Sequence, residues 1–490
     1  MFHMALAPKP GRHYIPLLVA AATLLTLVIV PLKIAGYGYL PPDDALRHAA
    51  KVISGRSWQQ IMVMRPEITI DHNFGWHKIL GAVHSVTGWD TDALVVFSTV
   101  ILFILVTLSA LPWLRRPEAW LLTFIVMSPT GLNFISRFML GRPFLVTTAV
   151  LITILLAWGN RQDRPSRALM IGTTLLIALS VWVHGSWYLF AVPLAAFALA
   201  RRWRATFALG VCWMSGTVIG ACATGYPIRF VVEQLRVMRY CFEGDQLLQR
   251  MLVLEFQPFD GAYPVVALVA LVLIWRLVRR TWSAKTVNNP IFILAVLGWV
   301  LGFKVARFWL DWGWPAALVW MTREFQEVLE NWQARDSVQR LAVATFAVVA
   351  FFLGSTSDLE SRWTRNLSIE YLTPDKPALA GWLPGDNGII YSDDVRVFYR
   401  TFFKNPKAGW RYMPGYEVSF MPPEDLRTFR RIQRDYDNMR SFEPWVRKMR
   451  PEDRLILYRR KPPGDFFPQL EWLWATSDLW IGRLRQGTRS

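Results

Sequence analysis

The sequence predicts a polytopic α-helical membrane protein of about eleven transmembrane helices, with a small α/β domain at the C-terminal end. Three observations carry that reading. Hydrophobic residues make up 53% of the 490-residue chain and the mean hydropathy is +0.25. A soluble protein of this length has too little interior for so much apolar side chain. The apolar residues fall in runs, and a hydrocarbon core of about 30 Å is crossed by about 20 apolar residues in a helix. The turns between the runs alternate in charge, as the two sides of a membrane require. The same composition excludes disorder, and three cysteines exclude a disulfide scaffold.

The candidate spans run approximately over 14–34, 92–114, 118–136, 143–159, 168–184, 186–200, 205–223, 263–279, 289–308, 312–322 and 340–355. The first follows Lys9, Arg12 and His13, a pattern like the start of a signal peptide. Its apolar run is long for a cleaved signal and lacks a clear A-x-A site, so an uncleaved anchor is expected. With the N-terminus cytoplasmic, the cytoplasmic turns carry Arg115 and Arg116, then Arg161, Arg164 and Arg167, then Arg201, Arg202 and Arg204, then Arg279, Arg280 and Lys285, then Arg335 and Arg340. Much of the net charge of +18 is therefore a topology signal that also suits anionic membrane lipids, and no nucleic acid is expected as a partner.

An odd number of spans puts the C-terminus outside. The outer side then receives a loop at 35–91, turns near 137–142, 184–187 and 308–313, a loop at 224–262, and the tail. The expected division is a transmembrane domain over 1–355, including the outer loop 35–91, and an exoplasmic domain over 356–490. The tail is polar and rich in Arg, Asp and Pro. Gly388–Ser392 and Arg454–Tyr458 read as strands, and Pro422–Arg440 as a helix. Cys212 and Cys222 lie in a span and Cys241 in an outer loop, with neither a disulfide pair nor metal-like spacing.

The densest chemistry follows the first span, in Pro41-Pro42-Asp43-Asp44-Ala45-Leu46-Arg47-His48. Two prolines and two acids open a helix with Asp43 near the N-cap, where the positive end of the helix dipole keeps carboxylates ionised. Arg47 lies four residues after Asp43 and His48 four after Asp44, so each acid has a basic neighbour one turn on. An ionised carboxylate at the membrane surface can take a proton from an acceptor hydroxyl. A capped interfacial helix with a surface salt bridge fits the same residues.

The rest of that loop holds Trp58, Arg65, Asp71, His72, Trp76, His77, Lys78 and His84, groups that can bind a sugar or a phosphate. Two histidines beside an aspartate can also hold a divalent cation, Mg2+ or Mn2+, although the spacing matches no specific metal motif. Further along, Arg137 and Arg142 sit on the outer side, where topology does not favour positive charge. His184 ends the fifth span. Lys304 and Arg307 are three apart, so they are expected on one helix face at membrane depth, followed by Asp311. Ionisable groups there are costly and line a cavity or a substrate path. A lipid phosphate or pyrophosphate is the matching anion. Internal pairing of Arg307 with Asp311 at i,i+4 fits equally. Trp187, Trp309, Trp312 and Trp314 suit either sugar stacking or an aromatic belt. No P-loop, dinucleotide fingerprint or Gly-x-Ser-x-Gly elbow is present, which leaves ATP-driven transport and serine hydrolysis without support.

Taken together, the many spans, the Pro42-Asp43-Asp44-Ala45-Leu46-Arg47 motif soon after span 1 and the outer C-terminal domain resemble the GT-C superfamily of integral-membrane glycosyltransferases. The resemblance covers nearly the whole chain in architecture and a few residues in motif. It implies transfer of a sugar from a polyprenyl-phosphate or polyprenyl-pyrophosphate donor at the outer face of a bacterial inner membrane. Asp43 or Asp44 would be the general base, and Arg142, Lys304 and Arg307 would neutralise the leaving phosphate. His77 and His184 would position donor or acceptor, with Arg47, His48, His72, Trp76, Arg137 and Asp311 as further substrate-binding residues. The donor's apolar end would lie in a groove between spans. The sequence departs from relatives that carry an acidic motif in the second outer loop: here that turn is Leu140-Gly141-Arg142-Pro143-Phe144. This departure weakens metal-assisted catalysis and favours a monophosphate donor. A transporter or flippase of lipid-linked saccharides, a polysaccharide polymerase and a non-catalytic scaffold remain as alternatives.

Overall fold

The computed structural model describes residues 14–128, 134–159, 165–242, 255, 257–332 and 337–485. Lys9, Arg12, His13, Arg161, Arg164 and Arg335 lie outside the described residues. Each of the eleven apolar stretches contains helix. They are α1 (Tyr14–Tyr37), then, after the outer-loop helices α2 (Asp44–Ser54), α3 (Trp58–Ile61) and α4 (Phe74–Thr87), α5 (Thr91–Leu108), α6 (Glu118–Met127) with the short α7 (Phe134–Phe138), α8 (Phe144–Trp158) and α9 (Arg167–His184). Next come α10 (Ala191–Leu199), α11 (Trp203–Cys222), an outer-loop helix α12 (Pro227–Phe242), α13 (Tyr263–Val278), α14 (Pro290–Gly302), α15 (Trp314–Trp332) and α16 (Ser337–Thr356).

Among the described residues, five helical segments are long and apolar enough to cross a membrane: Tyr14–Tyr37, Thr91–Trp113, Arg167–His184, Trp203–Cys222 and Val338–Thr356. Five shorter apolar helices, of 10–17 residues, accompany them. Helix α15 is amphipathic instead. Its first half is buried hydrocarbon, while Glu324 and Glu327 in its second half take the Arg276 guanidinium of α13 at 2.5 Å each. The chain is thus a helical membrane protein with a small C-terminal sheet.

One expected helix is broken. Lys304 and Arg307 do not share a helix face, because α14 stops at Gly302. The segment 257–259 lies against its end: the Phe259 N–H donates to the Gly302 carbonyl (3.2 Å), and the Ala306 N–H donates to the Gln257 carbonyl (2.7 Å). In a continuous helix Ala306 would donate to Gly302. Lys304 is left in an exposed turn, and the chain restarts at Ala306 before a π-helical turn at Trp309–Gly313.

The tail contains β1 (Ile389–Ser392), α17 (Val395–Lys404), β2 (Arg411–Met413), α18 (Pro423–Arg434), α19 (Glu443–Lys448), β3 (Arg454–Tyr458), β4 (Leu470–Thr476) and β5 (Leu479–Leu484). Both expected strands are present. The expected helix over 422–440 is shorter, ending at Arg434. The sheet order is β2-β1-β3-β5-β4; β1 is parallel to β2 and β3, and β5 is antiparallel to β3 and β4. The parallel β1–β2 pair requires a crossover, and α17 supplies it. Asp394 caps α17 by accepting from the Arg396 N–H, and Val397, Phe398 and Phe402 turn inward.

The loop 35–91 does not stand apart from the tail. Trp58, Ile61, Met62 and Ile68 share one apolar core with Ile390, Val397, Phe398, Phe402, Tyr412, Ile456 and Ile481. Met62 bridges to Tyr412 on β2, and the Val63 N–H donates to the Tyr412 carbonyl at 3.0 Å. The loop thereby covers the edge strand, whose unpaired backbone would otherwise be open to other chains. Helix α2 is held between this unit and the membrane helices: Ala45, Leu46 and Ala49 pack with Leu94 and Val95 of α5 and Phe403 of α17.

Candidate active site

Helix α2 brings the acid pair to this junction. Asp43 is its N-cap, with extended backbone and Oδ1 accepting from the Asp44 N–H at 2.6 Å. Arg142 reaches Asp43 from the turn between α7 and α8. Its Nε and Nη2 each donate to a different oxygen of Asp43, both at 2.9 Å. Gly141 permits that approach: φ is +64°, and an added Cβ would lie 2.8 Å from the Ala45 Cβ and 2.9 Å from Thr99 Oγ1.

The same guanidinium donates to Glu255. Arg137 approaches Glu255 at 3.8 Å and donates to Asp311, which also accepts from Arg307 Nε at 3.0 Å. The result is one alternating chain, Asp43–Arg142–Glu255–Arg137–Asp311–Arg307. Asp44 begins a second branch: its Oδ1 accepts from Arg47 Nε (2.8 Å) and from the Tyr399 hydroxyl of α17 (2.8 Å). Burial alone would raise the Asp44 carboxyl; the Arg47 and Arg142 guanidiniums outweigh it and hold the carboxyl well below the usual carboxylate range. The Tyr399 hydroxyl is pushed well above its ordinary value by burial, with the Asp44 charge adding to the effect.

The structure thus brings together Asp43, Asp44, Arg47, Arg137, Arg142, Arg307 and Asp311. Lys304 is not among them. His184, at the end of α9, stands edge-on to the Phe144 ring at 5.0 Å with Nδ1 2.9 Å from Ser186 Oγ, and Arg307 lies 5.6 Å from the same ring. Two pairings differ from the sequence expectation. Arg47 pairs with Asp44 at i,i+3 rather than with Asp43, because the N-cap residue is not helical and its side chain turns back over the first turn. His48 does not pair with Asp44.

His48 belongs to another chain of contacts. Asp71 Oδ2 lies 2.5 Å from His77 Nδ1, and His77 Nε2 lies 2.8 Å from His48 Nδ1. Burial raises the Asp71 carboxyl, but His77 and Lys51 more than compensate, so it is ionised. Burial lowers both His77 and His48, which favours neutral rings. An ionised Asp71 needs the proton on His77 Nδ1; His77 Nε2 then accepts from His48 Nδ1–H. This assignment follows from the network. It leaves the buried His48 Nε2 with a lone pair and no hydrogen-bond partner among the described residues. His72 packs on Phe420 at 5.5 Å. Trp76, on α4, is buried in the apolar core.

Glu255 and Tyr399 were not singled out by sequence reasoning. Nothing local chose Glu255 among the acids of its loop. Tyr399 sits between buried phenylalanines of α17 and has no motif around it.

The donor set does not fit a divalent cation. Among the described residues no group of three or more His, Cys, Asp or Glu side chains is placed to hold a metal ion. Asp43, Asp44, Glu255 and Asp311 face Arg142, Arg47, Arg137 and Arg307, so their charge is already balanced by guanidinium groups. What the arrangement offers is a set of arginines whose carboxylate partners an incoming phosphate can replace, beside carboxylates freed by that exchange.

No protein-family model matches this chain, and no curated protein sequence matches it.

Proposed function

We propose that this chain is an inverting membrane glycosyltransferase of the GT-C kind, with eleven spans, the N-terminus in the cytoplasm and the C-terminal domain in the periplasm of a bacterial inner membrane. It moves a sugar from a polyprenyl-(pyro)phosphate donor to a glycan, lipid or protein acceptor. The observation that supports this reading is the alternating acid–arginine chain where the apolar helices meet the polar domain.

The donor phosphate takes Arg142 and Arg307, and fixed cations aimed at the charge that develops on the leaving oxygen supply the main electrostatic stabilisation. Asp43 gives up both of its hydrogen bonds from Arg142 in that exchange and gains basicity next to the acceptor hydroxyl. The acceptor proton goes to the Asp43 carboxylate, the acceptor oxygen bonds to the anomeric carbon, and the bond from that carbon to the phosphate oxygen breaks. Asp44, anchored by Arg47 and Tyr399, remains an anion that supports the developing positive charge on the sugar. The loop 35–91 and the C-terminal domain together shape the acceptor side.

The test is transfer of a labelled lipid-linked sugar by purified protein, with Asp43→Asn and Asp44→Asn made separately. Loss of a general base lowers the rate by about 10²–10⁴, and that loss is expected for Asp43→Asn. If both variants keep full activity, no base role stands. Glycosylated product formed in detergent, without a second compartment, separates transfer from flipping. Product mass separates single-sugar transfer from polymerisation.

A further inference from the structure

Helix α12 exposes a row of hydrocarbon while burying two polar side chains beside Phe230. Its inward side carries a carboxylate and an amide: Glu233 is 3% exposed and Gln234 6%. Its outward side carries hydrocarbon: Ile228 is 80% exposed, Val232 46% and Leu235 38%. These three recur at i, i+4 and i+7, so they form one stripe. Exposed Arg229 and Arg239 flank it. In water such a stripe is costly to expose.

The polar inner side has a clear purpose. Glu233 Oε2 accepts from the backbone N–H groups of Thr69 (3.0 Å) and Ile70 (2.8 Å), and Oε1 accepts from the Thr69 hydroxyl (2.7 Å). Arg229 Nε steadies the same carboxylate at 2.9 Å. Three residues before Ile70, Glu67 accepts from the Tyr240 hydroxyl at 2.9 Å, and Arg65 lies over the Tyr240 ring at 4.2 Å. Helix α12 is therefore a clamp on the segment 65–70, immediately before Asp71. The clamp accounts for the buried polar side. Among the described residues nothing covers the bare apolar side.

The neighbouring span shows what covers that side. Pro227 follows the end of α11 by five residues, and the outward residues of α11 have the same character, with Met214 55% and Val218 57% exposed. We propose that α12 lies in the outer interface of the bilayer, its Ile228–Val232–Leu235 stripe in the acyl boundary and its arginines among the lipid phosphates. The lipid seats the helix, the helix holds residues 65–70 through Glu233, and that segment sets Asp71 against His77. The proposal stands whether or not the chain transfers sugar.

The test uses the full chain in nanodiscs of phosphatidylcholine with phosphatidylglycerol. Cysteines are replaced, and a spin label is placed by Val232→Cys, by Ile228→Cys or, for comparison, by Lys407→Cys in the C-terminal domain. Collision with oxygen and with a water-soluble nickel chelate is read by power saturation. The labels on α12 are expected to favour oxygen and the label at 407 to favour nickel. Labels at 228 and 232 that collide with nickel as freely as the label at 407 would place the stripe in water and overturn the proposal. Labels shielded from both reagents would show that a protein surface covers the stripe, and would overturn it equally. Two positions are used so that misfolding of one labelled variant does not decide the result.

Discussion

The ion pair between Asp43 and Arg142 can be weighed directly. The two side chains are 18% and 27% exposed and share two hydrogen bonds of 2.9 Å. Two unit charges about 4 Å apart near a protein surface attract by about 4 kcal/mol at an effective dielectric of about 20. Desolvation of both groups offsets part of that, leaving a coupling of about 2 kcal/mol, in line with charge-assisted hydrogen bonds of about 1.5–3 kcal/mol. Asp43→Asn keeps the N-cap acceptor of α2, so its cost is confined to the pair. Arg142→Gln also takes from Glu255 the closer of its two arginines, leaving Arg137 at 3.8 Å, and costs about 1 kcal/mol more. The double variant is then expected to be about as stable as Arg142→Gln alone. Chemical denaturation of the four proteins in one detergent measures the cycle. Costs that add within about 0.5 kcal/mol would show that the pair is not coupled and refute the reasoning. The same proteins test the catalytic reading: Arg142→Gln is expected to lower sugar transfer about 10²–10³-fold. Full activity in that variant would separate Arg142 from the donor phosphate.

Three further outcomes follow from the geometry. Tyr399→Phe removes the 2.8 Å hydrogen bond that ties the C-terminal domain to Asp44; a loss of about 1–2 kcal/mol is expected in thermal or chemical unfolding, with more from the charged acceptor than from a neutral one, and an unchanged midpoint would count against the link. Asp71→Asn removes the charge that orders the His77 and His48 tautomers and is expected to cost about 1.5–3 kcal/mol. Because the Asp71 carboxyl lies below its ordinary value, its stabilisation is present throughout the neutral range and is lost only as pH falls through the folded value; a cost that vanished between pH 6 and pH 8 would contradict the assignment. Burial raises the Glu417 carboxyl, against the hydrogen bonds it accepts from Ser419. A raised carboxyl destabilises the fold once pH climbs past the folded value, so Glu417→Gln is expected to stabilise the protein at pH 8 and to be near neutral at pH 4; greater destabilisation at pH 8 than at pH 4 would reverse the sign.

Local chemistry was legible from the sequence wherever the cause lay within a few residues. The apolar stretches are helical because their hydrocarbon and their backbone need a helix in lipid. Asp43 caps α2, and Ile389–Ser392 and Arg454–Tyr458 are strands, because turn residues and β-prone runs act at short range. Arg137 and Arg142, placed by the span count on the side where topology disfavours positive charge, lie in one alternating chain with Asp43, Glu255 and Asp311.

What the tertiary structure decided is who meets whom. Asp43 finds Arg142 across 99 residues, Arg142 finds Glu255 across 113, Arg137 finds Asp311 across 174, and Asp44 finds Tyr399 across 355. Helical spacing suggested Arg47 for Asp43 and His48 for Asp44; the N-cap Asp43 leaves the helical geometry that spacing rules assume, and His48 turns to His77 instead. Spacing also put Lys304 beside Arg307, until the segment 257–259 took the hydrogen bonds that would have continued α14. Trp76 reads as a substrate-binding residue of the loop, and the packing of α4 places it in the apolar core. Periodicity tells which residues share a face of one element. It does not contain the packing that chooses the neighbour of that face, and charges select partners by distance in space rather than along the chain.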